Sequence, residues 1–158
     1  MSVLIDLFKA LTTELATQLT PVVVERRYMP RVDAGDLASL KVSVYLSGTE
    51  REEIARGVVN MERHTFGIAV QQAVSEQVAT DTAGHAVLDG IDNLVSGDAV
   101  INQMETIKSL WRASGAMRDK LLANCRFLEM VHEPPYESIH LITMGVYTSI
   151  LDVTYQTT

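Results

Sequence analysis

Leucine recurs at helical spacing near the start of the chain. Leu4, Leu7, Leu11, Leu15 and Leu19 fall on one side of a helix, with Phe8 beside them and Asp6, Lys9, Thr13 and Glu14 between. Such a stripe has to be buried against another element. Ser2 stands where a side-chain oxygen caps the first turn. Thr20 ends the run because the residue before a proline, here Pro21, avoids helical backbone. The spacing predicts an amphipathic helix over residues 3–19. It argues against a secretion signal, since no cationic segment precedes it and charges interrupt the apolar stretch.

The partner for that stripe is predicted to be a sheet. VVVERRYM (residues 22–29) is rich in β-branched residues and is closed by Pro30; residues 33–36, DAGD, then read as a turn. Leu40, Val42, Val44 and Leu46 alternate with Lys41, Ser43 and Tyr45, the pattern of a half-buried strand. Ser47, Gly48 and Thr49 are expected to break it, and EREEIARG to form a loop or single turn. A long strand follows over residues 58–73, with Phe66, Ile68 and Val70 on one face and Arg63, Thr65 and Gln71 on the other.

A second main helix is predicted over residues 98–112, capped by Ser96, Gly97 and Asp98, with Ile101, Met104, Ile107 and Trp111 as its buried stripe and Val100 and Leu110 at the margins. Short helical turns are expected at 90–95 and 117–123. Two strands close the chain, at 125–131 and 145–156, separated by the proline-stiffened turn EPPYES. In the last strand Tyr147, Leu151, Val153 and Tyr155 face one way and Thr148, Asp152, Thr154 and Gln156 the other. The order α-β-β-β-α-β-β gives an α+β fold, a mostly antiparallel sheet packed against two main helices. No repeat or linker divides residues 1–158, so one domain is expected. Trp111, Phe66 and Leu151 are the core candidates.

Charge narrows the function classes. The formal net charge is −7, and the six acidic residues from Glu76 to Glu105 have no Lys or Arg among them. Gripping nucleic acid requires clustered cations to replace phosphate counterions, so this balance argues against it. No apolar stretch is long enough to span a membrane. The single cysteine, Cys125, allows no internal disulfide and fits a reducing compartment.

No motif carries catalysis. His64, His85, His132 and His140 are scattered, whereas zinc needs three or four converging ligands. Cys125 lies in the apolar run CRFLEMV and reads as a small core residue rather than a nucleophile. The glycines Gly84, Gly90 and Gly97 are too widely spaced to cradle a phosphate. Glu50, Glu52 and Glu53 read as a solvated face, and so do Asp89 and Asp92. No enzyme activity, metal or cofactor is expected.

What stands out is the capacity for protein contacts. Arg26, Arg27, Tyr28 and Arg31 cluster in the second element, and Arg51 and Arg56 lie in the charged segment after the next strand. Arg and Tyr are typical interface anchors, so both regions are expected at subunit or partner contacts. The segments VVVERRYMPRV and VYTSILDVTYQTT look like poorly shielded strands open to pairing with another chain.

The order of elements, the strand VSVYLSGTEREEIARG, the strand FGIAVQQA and the ending YTSILDVTYQTT together resemble the tail terminator, or tail completion, proteins of long-tailed bacteriophages. The resemblance covers most of the chain and is one of pattern and spacing; residues 74–97 are longer and more acidic than the family pattern. It implies a virion protein of the tail neck, assembled in the host cytoplasm as a homo-oligomeric ring, usually a hexamer. Such a ring caps the tail tube protein and offers a docking face to the head connector or stopper protein. Genomic DNA would pass through the lumen without specific binding. Glu76, Asp81, Asp89, Asp92 and Asp98 are then the candidates to face that lumen, where negative charge lets DNA slide. The alternatives are another neck component, or a small-molecule-binding domain with a pocket around Trp111 and Phe127.

Overall fold

The leucine stripe is buried as its spacing requires. In the computed structural model, helix α1 runs Val3–Gln18, with Leu7, Leu11 and Leu15 fully buried and Phe8 almost so. Burying each leucine contributes about 1.5–3 kcal/mol. Ser2 caps the helix by accepting the Ile5 amide at 3.4 Å. The described residues are 2–30, 37, 39–55, 59–73, 79–80, 86–87, 91–113, 117–118, 120–137 and 145–157. The expected turn at 33–36 lies outside them.

Five strands form the main sheet: β1 (Val24–Arg26), β2 (Lys41–Ala55), β3 (Val59–Ala73), β6 (Cys125–Val131) and β7 (Val146–Thr157). Their spatial order is β1-β2-β3-β7-β6, antiparallel throughout except for the β1–β2 pair. Between β3 and the second helix, α2 (Ile91–Ala113), lies a two-residue ladder of β4 (Ala79–Thr80) and β5 (Ala86–Val87). The main elements therefore follow the predicted α-β-β-β-α-β-β order. One apolar cluster unites α1 and α2 with β2, β3, β6 and β7, and Trp111, Phe66 and Leu151 all lie within it.

Four local expectations give way to tertiary structure. First, β2 does not stop at Ser47 and Gly48. The extra residue is absorbed by a register shift between Leu46 and Gly48, and pairing resumes at Gly48↔Thr65 and runs, with a second shift between Glu53 and Ala55, to Ala55↔Val59. The charged segment therefore belongs to a hairpin, because β3 supplies a continuous hydrogen-bonding partner that outweighs weak strand propensity.

Second, α2 begins at Ile91, so Ser96, Gly97 and Asp98 sit inside the helix rather than capping it. Gly97 is there for close packing: a Cβ on it would lie 3.2 Å from the Tyr147 ring. The buried stripe is Val100, Met104, Ile107 and Trp111, while Ile101 is turned toward solvent. Val100 and Met104 are four residues apart and so stack on the face that Ile107 and Trp111 continue.

Third, of the helical turn expected over 117–123 only the start is helical, Met117 lying in a 3-10 turn, while residues 120–124 form bends and a turn. Fourth, the strand with no Lys or Arg is not an edge. β7 lies between β3 and β6, and both of its sides are hydrogen-bonded. Its lack of cations reflects an interior position. VVVERRYM contributes only the three residues of β1.

Candidate assembly surface

Backbone pairing runs out first on the outer side of β2. β1 covers only Val42, Ser43 and Val44, and Arg27 adds one amide to the Val44 carbonyl at 2.8 Å. Among the described residues, no strand pairs with that side from Tyr45 to Ala55. β3 meets β7 only from Glu62 onward, so Val59, Asn60 and Met61, opposite Ala55, Glu53 and Glu52, extend past β7 as a hairpin arm. Unpaired amides and carbonyls along such an edge are available to another chain. The outer side of β6 is the second open edge of the sheet among the described residues.

The basic cluster sits beside the first edge, but its cations are partly engaged. The Arg26 guanidinium lies over the Phe8 ring, 5.2 Å from its centroid, and Tyr28 meets the same ring edge-on at 5.9 Å. Arg27 pairs with Glu25 at 3.7 Å, and its Nε is buried with no hydrogen-bond partner. Beside exposed Arg26 and half-buried Arg27 the region also presents apolar surface. Tyr28 is 73 % exposed, Met29 60 % and Val23 50 %. Arg51 is exposed on β2, opposite Glu62 and away from β1. Arg31 and Arg56 lie outside the described residues.

Of the acidic candidates, Asp98 is exposed on α2. Asp92 belongs to the same helix, and its side chain lies outside the described residues. So do Glu76, Asp81 and Asp89, as well as His85 and His140.

Two histidines are built into the structure. His64 is buried on β3, with Thr49 Oγ1 3.3 Å from Nδ1, and Thr157 Oγ1 and Glu62 Oε2 3.1 and 3.5 Å from Nε2. Burial lowers its pKa and the Glu62 carboxylate opposes that shift. His132 joins a relay that the sequence did not reveal. Lys108 Nζ is 3.2 Å from Nδ1, and Nε2 is 2.7 Å from Ser149 Oγ. An ammonium only donates, so Nδ1 accepts and Nε2 carries the proton.

Ser149, fully buried, therefore accepts from His132 and donates to the Pro135 carbonyl at 2.6 Å. A serine whose hydroxyl proton is committed to a carbonyl, beside an imidazole that donates to it, is not activated for attack. The relay ties α2, β7 and the proline turn together. Burial first, then Lys108, lowers the His132 pKa. Alternation along β7 places Ser149 on the face of Leu151 and Tyr155, but only the fold brings Lys108 and His132 to it.

The opposite face of the sheet carries a second unforeseen group. Tyr45 lies across Gly67, where a Cβ would come within 2.2 Å of its ring. Burial, then Asp152 and Glu137, pushes the Tyr45 hydroxyl up to about 12. The Asp152 pKa is raised by its own burial and then by Glu137.

The expected pocket around Trp111 and Phe127 is filled by the rings themselves, 6.4 Å apart, with Trp111 Nε1 donating to the Tyr155 hydroxyl at 3.0 Å. An open groove of ≈ 350 Å³ lies instead at the start of β6, lined by Met61, Asn124, Cys125, Arg126 and Gln156. Asn124 holds the left-handed conformation, φ 62°, at the turn into that strand. Cys125 itself is buried, as its apolar neighbours predict. The sequence matches no protein-family model and no curated protein, so any functional reading rests on these residues.

Proposed function

We propose that the chain is a structural virion protein, a tail terminator of a long-tailed phage that assembles as a ring, usually of six copies, on the head-proximal end of the tail tube. The observation that carries this reading is the long β2–β3 hairpin, whose outer side has no strand partner beyond Val44 among the described residues and which stands beside exposed Tyr28 and Met29. A subunit that gains strand partners only on assembly stays soluble alone and locks when copies meet. The order of helices and strands and the terminal YTSILDVTYQTT, which resemble the pattern of that family, support the reading.

In this reading no reaction takes place. The ring gives the head connector or stopper protein a docking face, and acidic side chains such as Asp98 line a channel through which DNA passes without adhering. Native mass spectrometry and negative-stain imaging of the purified full chain, alone and with polymerised tail-tube protein, test the proposal. Rings of about six copies capping the tubes are expected. Subunits that bind only the head-side connector would favour another neck component, and a chain that remains a lone subunit away from the tube end would overturn the proposal. Charge reversal at Arg26 and Arg27 is expected to weaken assembly while the circular dichroism of the subunit stays unchanged.

A further inference from the structure

We infer that the groove at the start of β6 is the seat for Tyr28 of a second copy, so that successive subunits join head to tail. The inference rests on the ring reading only for closure of the contact; the contact itself is argued from the two surfaces. Tyr28 is the more exposed of the two aromatic residues on the described surface, at 73 % against 37 % for Tyr136. It stands beside the β1–β2 edge and meets the Phe8 ring in a T-shaped contact. The groove is lined from β3, β7 and β6, and no residue of β1 or β2 lines it.

The groove's lining suits a tyrosine. Met61 and Cys125 offer polarisable sulfur to a ring, and the Arg126 guanidinium offers a cation to its face. The chain uses that last contact twice internally, Arg26 over Phe8 and Arg118 over Phe127. The Asn124 and Gln156 amides can serve the phenolic hydroxyl; Gln156 already accepts from Arg126 at 3.4 Å and touches the Met61 sulfur. A cavity of ≈ 350 Å³ has room for one such side chain, which buries about 150–250 Å². Knob and hole are different patches of the chain, so each copy can offer its Tyr28 to one neighbour and its groove to another. Repeated in this way the contact is heterologous and leads to a ring or a filament, whereas a reciprocal two-fold pair would stop at the dimer.

The test keeps Tyr28 and Arg126 and uses the full chain carrying Met29→Cys, beside the knob, with the native Cys125 of the groove as the second thiol; the single-thiol controls are the native chain and Met29→Cys with Cys125→Ser. The fold of the two-thiol chain is checked by circular dichroism, and it is oxidised in parallel with each single-thiol control. A covalent ladder extending beyond the dimer is expected, with neither control passing the dimer. A ladder that stops at the dimer would mean a two-fold contact and overturn the head-to-tail arrangement. Oligomers in sedimentation that form no ladder would overturn the groove as the seat and leave the ring reading standing. A chain that stays monomeric in solution and also forms neither ring nor ladder on polymerised tail-tube protein would overturn both. Independently, Tyr28→Ala in the otherwise native chain is expected to weaken self-association at least tenfold, and Tyr28→Phe to retain most of it. Equal association of Tyr28→Ala and the native chain would also overturn the inference.

Discussion

On one face of the sheet Val42, Val44, Phe66, Ile68, Val70, Leu151, Val153 and Tyr155 are buried under two helices. On the other face Ser43, Gln71, Thr148, Thr154 and Gln156 are also buried, with Gly67 and Ala69 among them. Both faces contain buried side chains, but the first is apolar, whereas the second buries polar groups among partly exposed ones such as Thr65 and Asp152. The second keeps its polar groups by pairing them across strands: Thr65 with Thr154 at 3.0 Å, and Gln71 donating to Thr148 at 3.2 Å. Burial by itself therefore does not identify the hydrophobic core. The apolar face draws its stability from area removed from water, whereas the polar face must above all avoid leaving donors and acceptors unmatched.

The sharpest way to break this comparison is Trp111→Ala. The indole is 1 % exposed, and its N–H is used by Tyr155, whose hydroxyl also reaches the Met117 carbonyl. A loss of about 3–5 kcal/mol in urea unfolding is expected, and a loss below about 1 kcal/mol would mean that the helix face is not the stabilising core. Next comes Gly67→Ala on the polar face. The new methyl would displace the Tyr45 ring lying over it, at a cost of about 1–3 kcal/mol. The same substitution also tests whether Tyr45 is held in place, because a mobile ring would swing aside with little effect on thermal stability.

Ser43→Ala is expected to have a smaller effect, of opposite sign. Ser43 Oγ is buried with no hydrogen-bond partner, so removing it relieves a desolvated hydroxyl. A gain of up to about 1 kcal/mol is expected, against a loss for an ordinary paired serine.

The finest distinction is the pH dependence of the melting temperature, where the faces pull in opposite directions. His64 and His132, among the helix-side groups, are held below their ordinary 6.5 by burial. The unfolded chain takes up their protons first, so their contribution is full above 6.5 and is lost as pH falls through the folded values. Asp152, on the polar face, is held above its ordinary 3.8. Its contribution is full below 3.8 and is lost as pH rises through the folded value. His132→Gln should flatten the rise of melting temperature toward neutral pH, and Asp152→Asn should flatten the fall above pH 3.8. Unaltered profiles would place both groups in solvent.

The sequence was most legible where one period controls one element. The α1 stripe and the alternation of Phe66, Ile68 and Val70 reappear in the fold because local spacing and tertiary burial agree. It was least legible where a partner strand or a neighbouring ring decides. Ser47 and Gly48 look like a break until β3 is placed alongside, and Gly97 looks like a cap until Tyr147 is placed against it. The candidate assembly surface was half legible. Tyr28 and the arginines beside it carry a visible signature, whereas the groove gathers Met61 and Gln156 from distant strands and has none.

The position of β7 has a consequence for how the chain reaches this structure. The pairing of Glu62 with Thr157, and of Ala73 with Val146, joins segments separated by both the second helix and β6. Contacts so far apart in sequence set a slow folding clock, because loop entropy is lost before the ladder can form. Until β7 arrives, β3 presents Phe66, Ile68 and Val70 beside an unpaired backbone, and β6 has no neighbour at all. The β2–β3 hairpin and α1 can form early, and the molecule then waits on one insertion that joins its two halves. A chain stalled before that step exposes a sticky inner edge, so the yield of native protein should fall with concentration and temperature during refolding more steeply than its final stability would suggest.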